Sequence, residues 1–564
     1  MRNRLVAGVW CLFILILPIP WAAFAQSSAH PPNGLVDTGC GAWNLSPTPM
    51  PVVPMDDITV YAFSQTGNND SDPQVLELTP DIVIRAWAKW DRYGVNPSDY
   101  KFSYVTDCQA SHIRFIGGTT ATILFADEFT PEEFDRIACR DAAGQIVKHD
   151  NIVPGAHRGS IADPEYRDYL VKIGKVQIDG GVDGLFFDEV DQDYQGEKYD
   201  NNEGFDDWHL ADFNSYLLAK YPKGKDFAKL FQMPPGNILR RDLPPGDLRH
   251  NFNYLKYLAD NGWATYPLAS SNPLAAEWGK TYDDHPEPGA KTFVSSAEPY
   301  RYFGPIVREL KAYAKEKYGK NLLITGNGIL PNVDFESIGL WDYNHDGDNG
   351  SMADYVPVVD GHLNGAKSLQ SVFRRFYQQS AVLAPGAPVV LFIDWPTPTL
   401  NRYIALPQSE REDYWRMYAA EAYANGLFYA FHLKTATGEL TADQQNMMPF
   451  FKNYTAFYRS HAVLYHHVKP SDIAATCSLP SAMVSVMEGK DRVLIHVVNH
   501  EYDKGFKDQH NVTVTVPMDY RPKKVTVASP DQSGDEKLNF GYSDEKLTVT
   551  LPKLVAYLVL VVNE

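Results

Sequence analysis

The sequence predicts an α/β protein: a (β/α)8 TIM barrel with a long insertion after its fourth strand, followed by a C-terminal antiparallel β-sandwich. Three observations predict it. Short apolar runs rich in β-branched and aromatic residues recur between Thr59 and Phe431, as strands buried on both faces require. Helical patterns stand between most of these runs, the alternation typical of parallel sheets. Past Pro470 the texture changes to short stretches of alternating hydrophobicity, which reads as antiparallel sheet.

Residues 1–25 read as a secretory leader. Arg2 and Arg4 make a basic start, Leu12 to Leu17 lie in a short apolar run, and Ala23-Phe24-Ala25 offers a cleavage site before Gln26. That run is too short for a membrane anchor, and no later segment is apolar enough to span a bilayer. The protein is therefore expected to be exported, to periplasm or medium, without membrane association after cleavage. Residues 26–54, rich in Pro, Ser and Gly without periodicity, suggest an extended arm.

The barrel is expected over 55–465. Its eight strands are read at Thr59–Phe63, Ile82–Trp87, Ala121–Phe125, Gly184–Asp188, Leu322–Thr325, Tyr355–Asp360, Val389–Asp394 and Leu427–Phe431. Helices are expected near Pro131–Ala138, Phe205–Tyr221, Gly304–Tyr318, Ala366–Ala381 and Glu410–Ala424, the last with Ser409 to cap it and Gly426 to end it. An open doubly wound sheet would bring a Gly-rich phosphate turn after its first strand, and there is none. The long passage after strand four would lie over the barrel mouth as a lid or wall. The sandwich is expected over 470–564, with strands at Met483–Met487, Val493–Asn499, Val512–Val516, Lys524–Ala528, Lys546–Leu551 and Leu554–Val562.

The chain carries 51 basic and 70 acidic side chains, a net charge of −19; losing Arg2 and Arg4 with the leader makes it −21. Such a surface repels phosphate backbones, which argues against nucleic acid as a partner. A neutral sugar polymer suits it, and 13% aromatic residues could supply stacking surfaces. Of the 5 Cys, Cys11 leaves with the leader. Cys108 with Cys139 and Cys40 with Cys477 are the expected disulfides of an exported chain. No Cys/His cluster suggests zinc.

The strongest chemical signal is Val182-Asp183-Gly184-Leu185-Phe186-Phe187-Asp188-Glu189. An apolar strand ends on adjacent carboxylates, which must meet solvent, ligand or metal because unpaired buried charge is costly. In a barrel that end is the catalytic face. Asp183, before the strand, reads as structural. The phrase resembles the fourth-strand motif of α-galactosidase-like, dextranase-like and endo-galactosaminidase-like TIM-barrel glycoside hydrolases, and the Asp188-Glu189 pair is similar to that of spherulin-4-like barrels. The resemblance reaches the superfamily and no single family. It implies that Asp188 is a nucleophile in glycosidic bond cleavage.

Such cleavage needs a second carboxyl group, about 5–5.5 Å away for retention of configuration or about 6.5–9.5 Å for inversion. Asp360, read as closing strand six, is the first choice, with Asp394, closing strand seven, next; Glu189 completes the catalytic set, and Glu336 is weaker. Trp87, Trp90, Asn327, His362, Trp395 and His432 follow strand ends and could bind sugar faces and hydroxyls. No cofactor is required. Asp342, Asn344, Asp346 and Asp348 resemble the front of an EF-hand loop, but Ala353 stands at its twelfth position. That loop reads equally as a structural calcium site and as a solvated acidic turn.

The expected activity is hydrolysis, internal and retaining, of a polysaccharide or oligosaccharide. A transglycosylase would use the same residues. The rival of a different class is a non-catalytic carbohydrate-binding surface protein on a degenerate barrel.

Overall fold

The structure, a computed structural model, describes residues 43–64, 71–84, 94–141, 143–149, 154–190, 203–222, 273–278, 292–340, 355–393, 397–434 and 441–563. Eight parallel strands form the barrel: Tyr61–Ser64, Ile82–Ile84, Arg114–Thr120, Gly184–Asp188, Leu323–Gly326, Glu336–Gly339, Val389–Phe392 and Phe428–Lys434, here numbered one to eight. They pair in the order five, four, three, two, one, eight, seven, six. A bridge between Asn327 and Ser337 joins strand five to strand six and closes the ring.

The register shows how the ring closes. Followed from Gly339 through Phe392, Ala430, Tyr61, Ile82 and Arg114, it arrives level with Asn321, two residues before strand five. The closing bridge seats Gly339 level with Ile329, eight residues further on. An offset of eight in an eight-stranded barrel tilts the strands and stacks the inward side chains in layers drawn from alternate strands.

Side-chain contacts fix which residues face inward. Tyr429 and Phe431 of strand eight meet Trp415 on helix Gln408–Ala424, leaving Phe428, Ala430 and His432 inside. Leu185 of strand four packs over Gly174 on helix Pro164–Asp179. Phe187 meets Phe303 at the head of helix Gly304–Tyr318. Gly184, Phe186 and Asp188 therefore point into the barrel.

Two strands differ from expectation. Strand three is Arg114–Thr120, not Ala121–Phe125. Gly117-Gly118 hides it, because glycine has little strand propensity; here a Cβ on Gly117 would stand 2.4 Å from Gln177 Oε1. The Gln177 amide accepts from Gly118 N–H (2.9 Å) and donates to Gly118 C=O (2.8 Å). Ile123–Phe125 instead pairs antiparallel with Ala156–Arg158, at the base of an excursion after strand three. Strand six is Glu336–Gly339, reached from strand five without a helix. The expected sixth strand is a hairpin in which Val358–Val359 pairs with His362–Leu363. Asp360 and Gly361, at φ 50° and 77°, make its two-residue turn, the conformation that Asp-Gly favours.

Cys108 and Cys139 are separate buried thiols, not the expected disulfide. Cys108 lies on helix Ser103–Ala110 within the barrel core. The Cys139 sulfur, in the excursion after strand three, accepts the Gly204 N–H at 3.3 Å. Cys40 lies outside the described residues.

The C-terminal unit stacks a six-stranded sheet on a four-stranded one. Along Arg492–Val498, Val493, Ile495 and Val497 join the sandwich core, while Leu494 and Val498 join the barrel's. This period of two lets one sheet serve both layers. Among the described residues no helix is long and apolar enough to cross a membrane.

Candidate functional site

Strand four delivers Asp188 to the C-terminal mouth of the barrel, 5% exposed. Its carbonyl accepts the Ala121 N–H at 2.7 Å, which carries the pairing with strand three one residue past Thr120. The register puts Asp188 in one inward layer with His432, on the strand diametrically opposite. Phe63, Asn327 and Phe392 fall in the layer beneath. Phe63 stacks on Phe392 with centroids 4.3 Å apart, so an aromatic floor underlies the carboxylate.

Glu189 leaves the barrel axis. Its φ of 48° is left-handed, a conformation costing a side-chain-bearing residue roughly 1–2 kcal/mol. Were the strand to continue, Glu189 would point outward with Leu185 and Phe187 into apolar packing. It turns aside, and its Oε2 meets Arg158 Nη1 at 2.6 Å and His149 Nε2 at 3.1 Å. Arg158 also donates to Thr122 Oγ1 and brings Nε within 3.2 Å of Glu203 Oε1. Burial works to raise the Glu189 carboxyl, but Arg158 and His149 override it and hold it well below the usual range. A group held ionised in this way suits an electrostatic wall and not a proton donor.

A second polar cluster lies behind this wall. Asp206 caps helix Asp207–Lys220 and holds His209 Nδ1 at 2.7 Å. Ser160 Oγ reaches the same Nδ1 at 3.4 Å. A hydrolytic triad needs serine and carboxylate on opposite ring nitrogens, so these residues do not make one. The cluster ties the excursion after strand three to the segment after strand four.

The structure brings Asp188, Asn327 and His432 to the mouth. Asn327 sits on the closing seam, its Oδ1 accepting the Gly339 N–H at 3.4 Å. His432 places Nδ1 2.6 Å from the Ile393 carbonyl and Nε2 3.0 Å from that of Lys434, so its ring ties strand eight to the end of strand seven. Asp360 and His362 are elsewhere: Asp360 is in the exposed hairpin turn, and His362 Nδ1 meets Glu410 of helix Gln408–Ala424 at 2.7 Å. Asp360 turns a hairpin and does not end a barrel strand. Glu336 opens strand six below the mouth. Trp87, Trp90, Asp394, Trp395 and the loop residues Asp342, Asn344, Asp346 and Asp348 lie outside the described residues. Among the described residues no three His, Cys, Asp or Glu side chains could hold a metal.

Sequence reasoning missed Arg158, His149 and Glu203. Arg158 ends a three-residue strand and the other two lie in irregular chain, and only the fold brings them to Glu189.

No family model matches the chain, and no curated protein does. Among solved structures, the cycloisomaltooligosaccharide glucanotransferase of a Paenibacillus species, in complex with cycloisomaltoheptaose, is similar at TM-score 0.52 and 10% identity, over 89% of this chain and 85% of that one. A noncanonic maltogenic α-amylase from Thermotoga neapolitana is similar at TM-score 0.44 and 10% identity, over 89% and 99%. At such identity the first likeness is one of fold, and that fold is the closed barrel with a following β domain.

Proposed function

We propose that the chain is a carbohydrate-active enzyme that cleaves glycosidic bonds in a polysaccharide or oligosaccharide, with Asp188 as nucleophile. One observation carries the reading: a carboxylate on the inward face of strand four, at the C-terminal mouth of a closed barrel and above an aromatic floor. An apolar layer beneath a charge strengthens its field, and Phe63 and Phe392, both fully buried, supply such a layer under Asp188. The glucanotransferase likeness accords with this reading through the shared fold.

We favour Asp394, two residues beyond Phe392 in the sequence, as the acid/base partner: Asp360 stands in an exposed turn that ends no barrel strand, and Arg158 and His149 favour the ionised form of Glu189. No cofactor takes part in this chemistry; calcium on the Asp342–Asp348 loop would be structural.

The test is product formation across a broad panel of neutral, acidic and amino-sugar polysaccharides, for the wild type and for Asp188→Asn. Products with the wild type and none with the folded variant are expected. A variant as active as the wild type would remove Asp188 from the chemistry. Binding of a glycan without any product would replace the enzyme by a carbohydrate-binding protein.

A further inference from the structure

We propose that Arg158 is the positioning residue of this mouth: it draws Glu189 sideways into a left-handed turn and so ends strand four with Asp188 aimed into the barrel. The catalytic consequence rests on the reading of Asp188 given above; the geometric part does not.

Three separate pieces of chain meet on this one guanidinium. Arg158 itself closes the excursion strand Ala156–Arg158, opposite Ile123. Thr122, which takes its Nη1 hydrogen bond, follows strand three by two residues. Glu189 follows strand four directly, and Glu203 belongs to the segment leading into helix Asp207–Lys220. Arg158 is 2% exposed and Glu203 is fully buried. Without the guanidinium, the carboxylates of Glu189 and Glu203 would stay in the wall without the charge that both of them face. Buried charge of that kind is expelled or protonated.

Backbone conformation is the second, independent observation. A left-handed glutamate persists only where its surroundings over-determine it, and here the charge-assisted bond from Arg158, with His149 Nε2 at 3.1 Å beside it, does so. The turn separates two neighbouring acids that would otherwise alternate across the sheet. Asp188 stays on the inward face, and Glu189 is kept out of the apolar layer that Leu185 and Phe187 enter. Arg158 touches Glu189 and not the barrel axis, so it acts through the chain and is not itself catalytic.

The test pairs crystal structures with kinetics for the wild type, Arg158→Gln and Arg158→Lys. In R158Q, Glu189 should leave the positive-φ region and the Asp188 carboxylate should shift by about 1 Å, a displacement able to cost on the order of 100-fold in rate. That loss should fall on kcat with KM little changed, and R158K should recover part of it. A folded R158Q with Asp188 and Glu189 in their original places would overturn the proposal, and so would wild-type kcat in that variant. If R158Q does not fold, R158K is read the same way: its single ammonium cannot span both acids, so an unmoved Asp188 with wild-type kcat overturns the proposal. If the wild type cleaves no glycan, the functional reading fails alone, and the crystal structures still decide whether Arg158 sets the turn.

Discussion

Two glutamates in this barrel, Glu189 at the rim and Glu336 at the start of strand six, share a side chain and opposite charge states. Glu189 meets Arg158 and His149 and is held ionised. Glu336 is fully buried, and its carboxyl accepts from the Leu330 N–H at 2.9 Å and the Ser380 hydroxyl at 3.2 Å. Burial prevails over those two bonds and pushes it up to about 8. The difference teaches that this fold tolerates a buried acid in two ways, by a cation or by a proton. The rim beside Asp188 is where it maintains charge.

Four substitutions test that contrast. The largest effect should come from Asp188→Asn, which removes the inward carboxylate while keeping its shape. Loss of turnover by at least about 1,000-fold, read from initial rates, is expected of a missing nucleophile. Glu189→Gln should follow, since it takes one of two carboxylates from the buried Arg158 guanidinium. Breaking a buried pair from one side costs about 3–5 kcal/mol, discounted here to roughly 2–3 because the Glu189 side chain is 18% exposed. Urea unfolding at neutral pH would measure it.

Glu336→Gln should act smaller and in the opposite direction. The native carboxyl, near 8, sits above its ordinary 4.5. Wild-type stability is then fully present below about pH 4.5 and is lost as pH rises towards 8, because the unfolded chain releases that proton first. The glutamine variant lacks this loss, so its Tm should match the wild type at pH 4.5 and exceed it at pH 8. Equal Tm values at both pH values would show that Glu336 is not proton-bearing. The smallest effect belongs to Asp360→Asn, which keeps a residue tolerant of positive φ in an exposed turn. Stability should change by less than about 0.5 kcal/mol and activity not at all; a large loss of activity would return Asp360 to the mouth.

The sequence was legible where one local rule sufficed. Strands four, seven and eight announce themselves because both of their faces are apolar, and Asp188 because it ends such a run. The sandwich strands show their period of two directly. Strand three was hidden by Gly117-Gly118, whose small size answers to a glutamine 60 residues away in the sequence. Strand six was hidden because Glu336 and Ser337 are polar yet fully buried, and the groups that bond the Glu336 carboxyl, Leu330 N–H and the Ser380 hydroxyl, come together only in the folded barrel. Val358-Val359-Asp360 looked like a strand ending in acid, but the Asp360-Gly361 pair signalled a hairpin just as strongly. Arg158 carried no local signal at all, since its role depends on three segments meeting.

The role of Asp188 is decided by quenching the wild type during turnover of whichever glycan the panel identifies, digesting it, and weighing the peptide that spans Asp188. A sugar-sized mass increment mapped to that side chain is the predicted result. An adduct on another carboxyl group, with the Asp188 peptide unmodified, would contradict it.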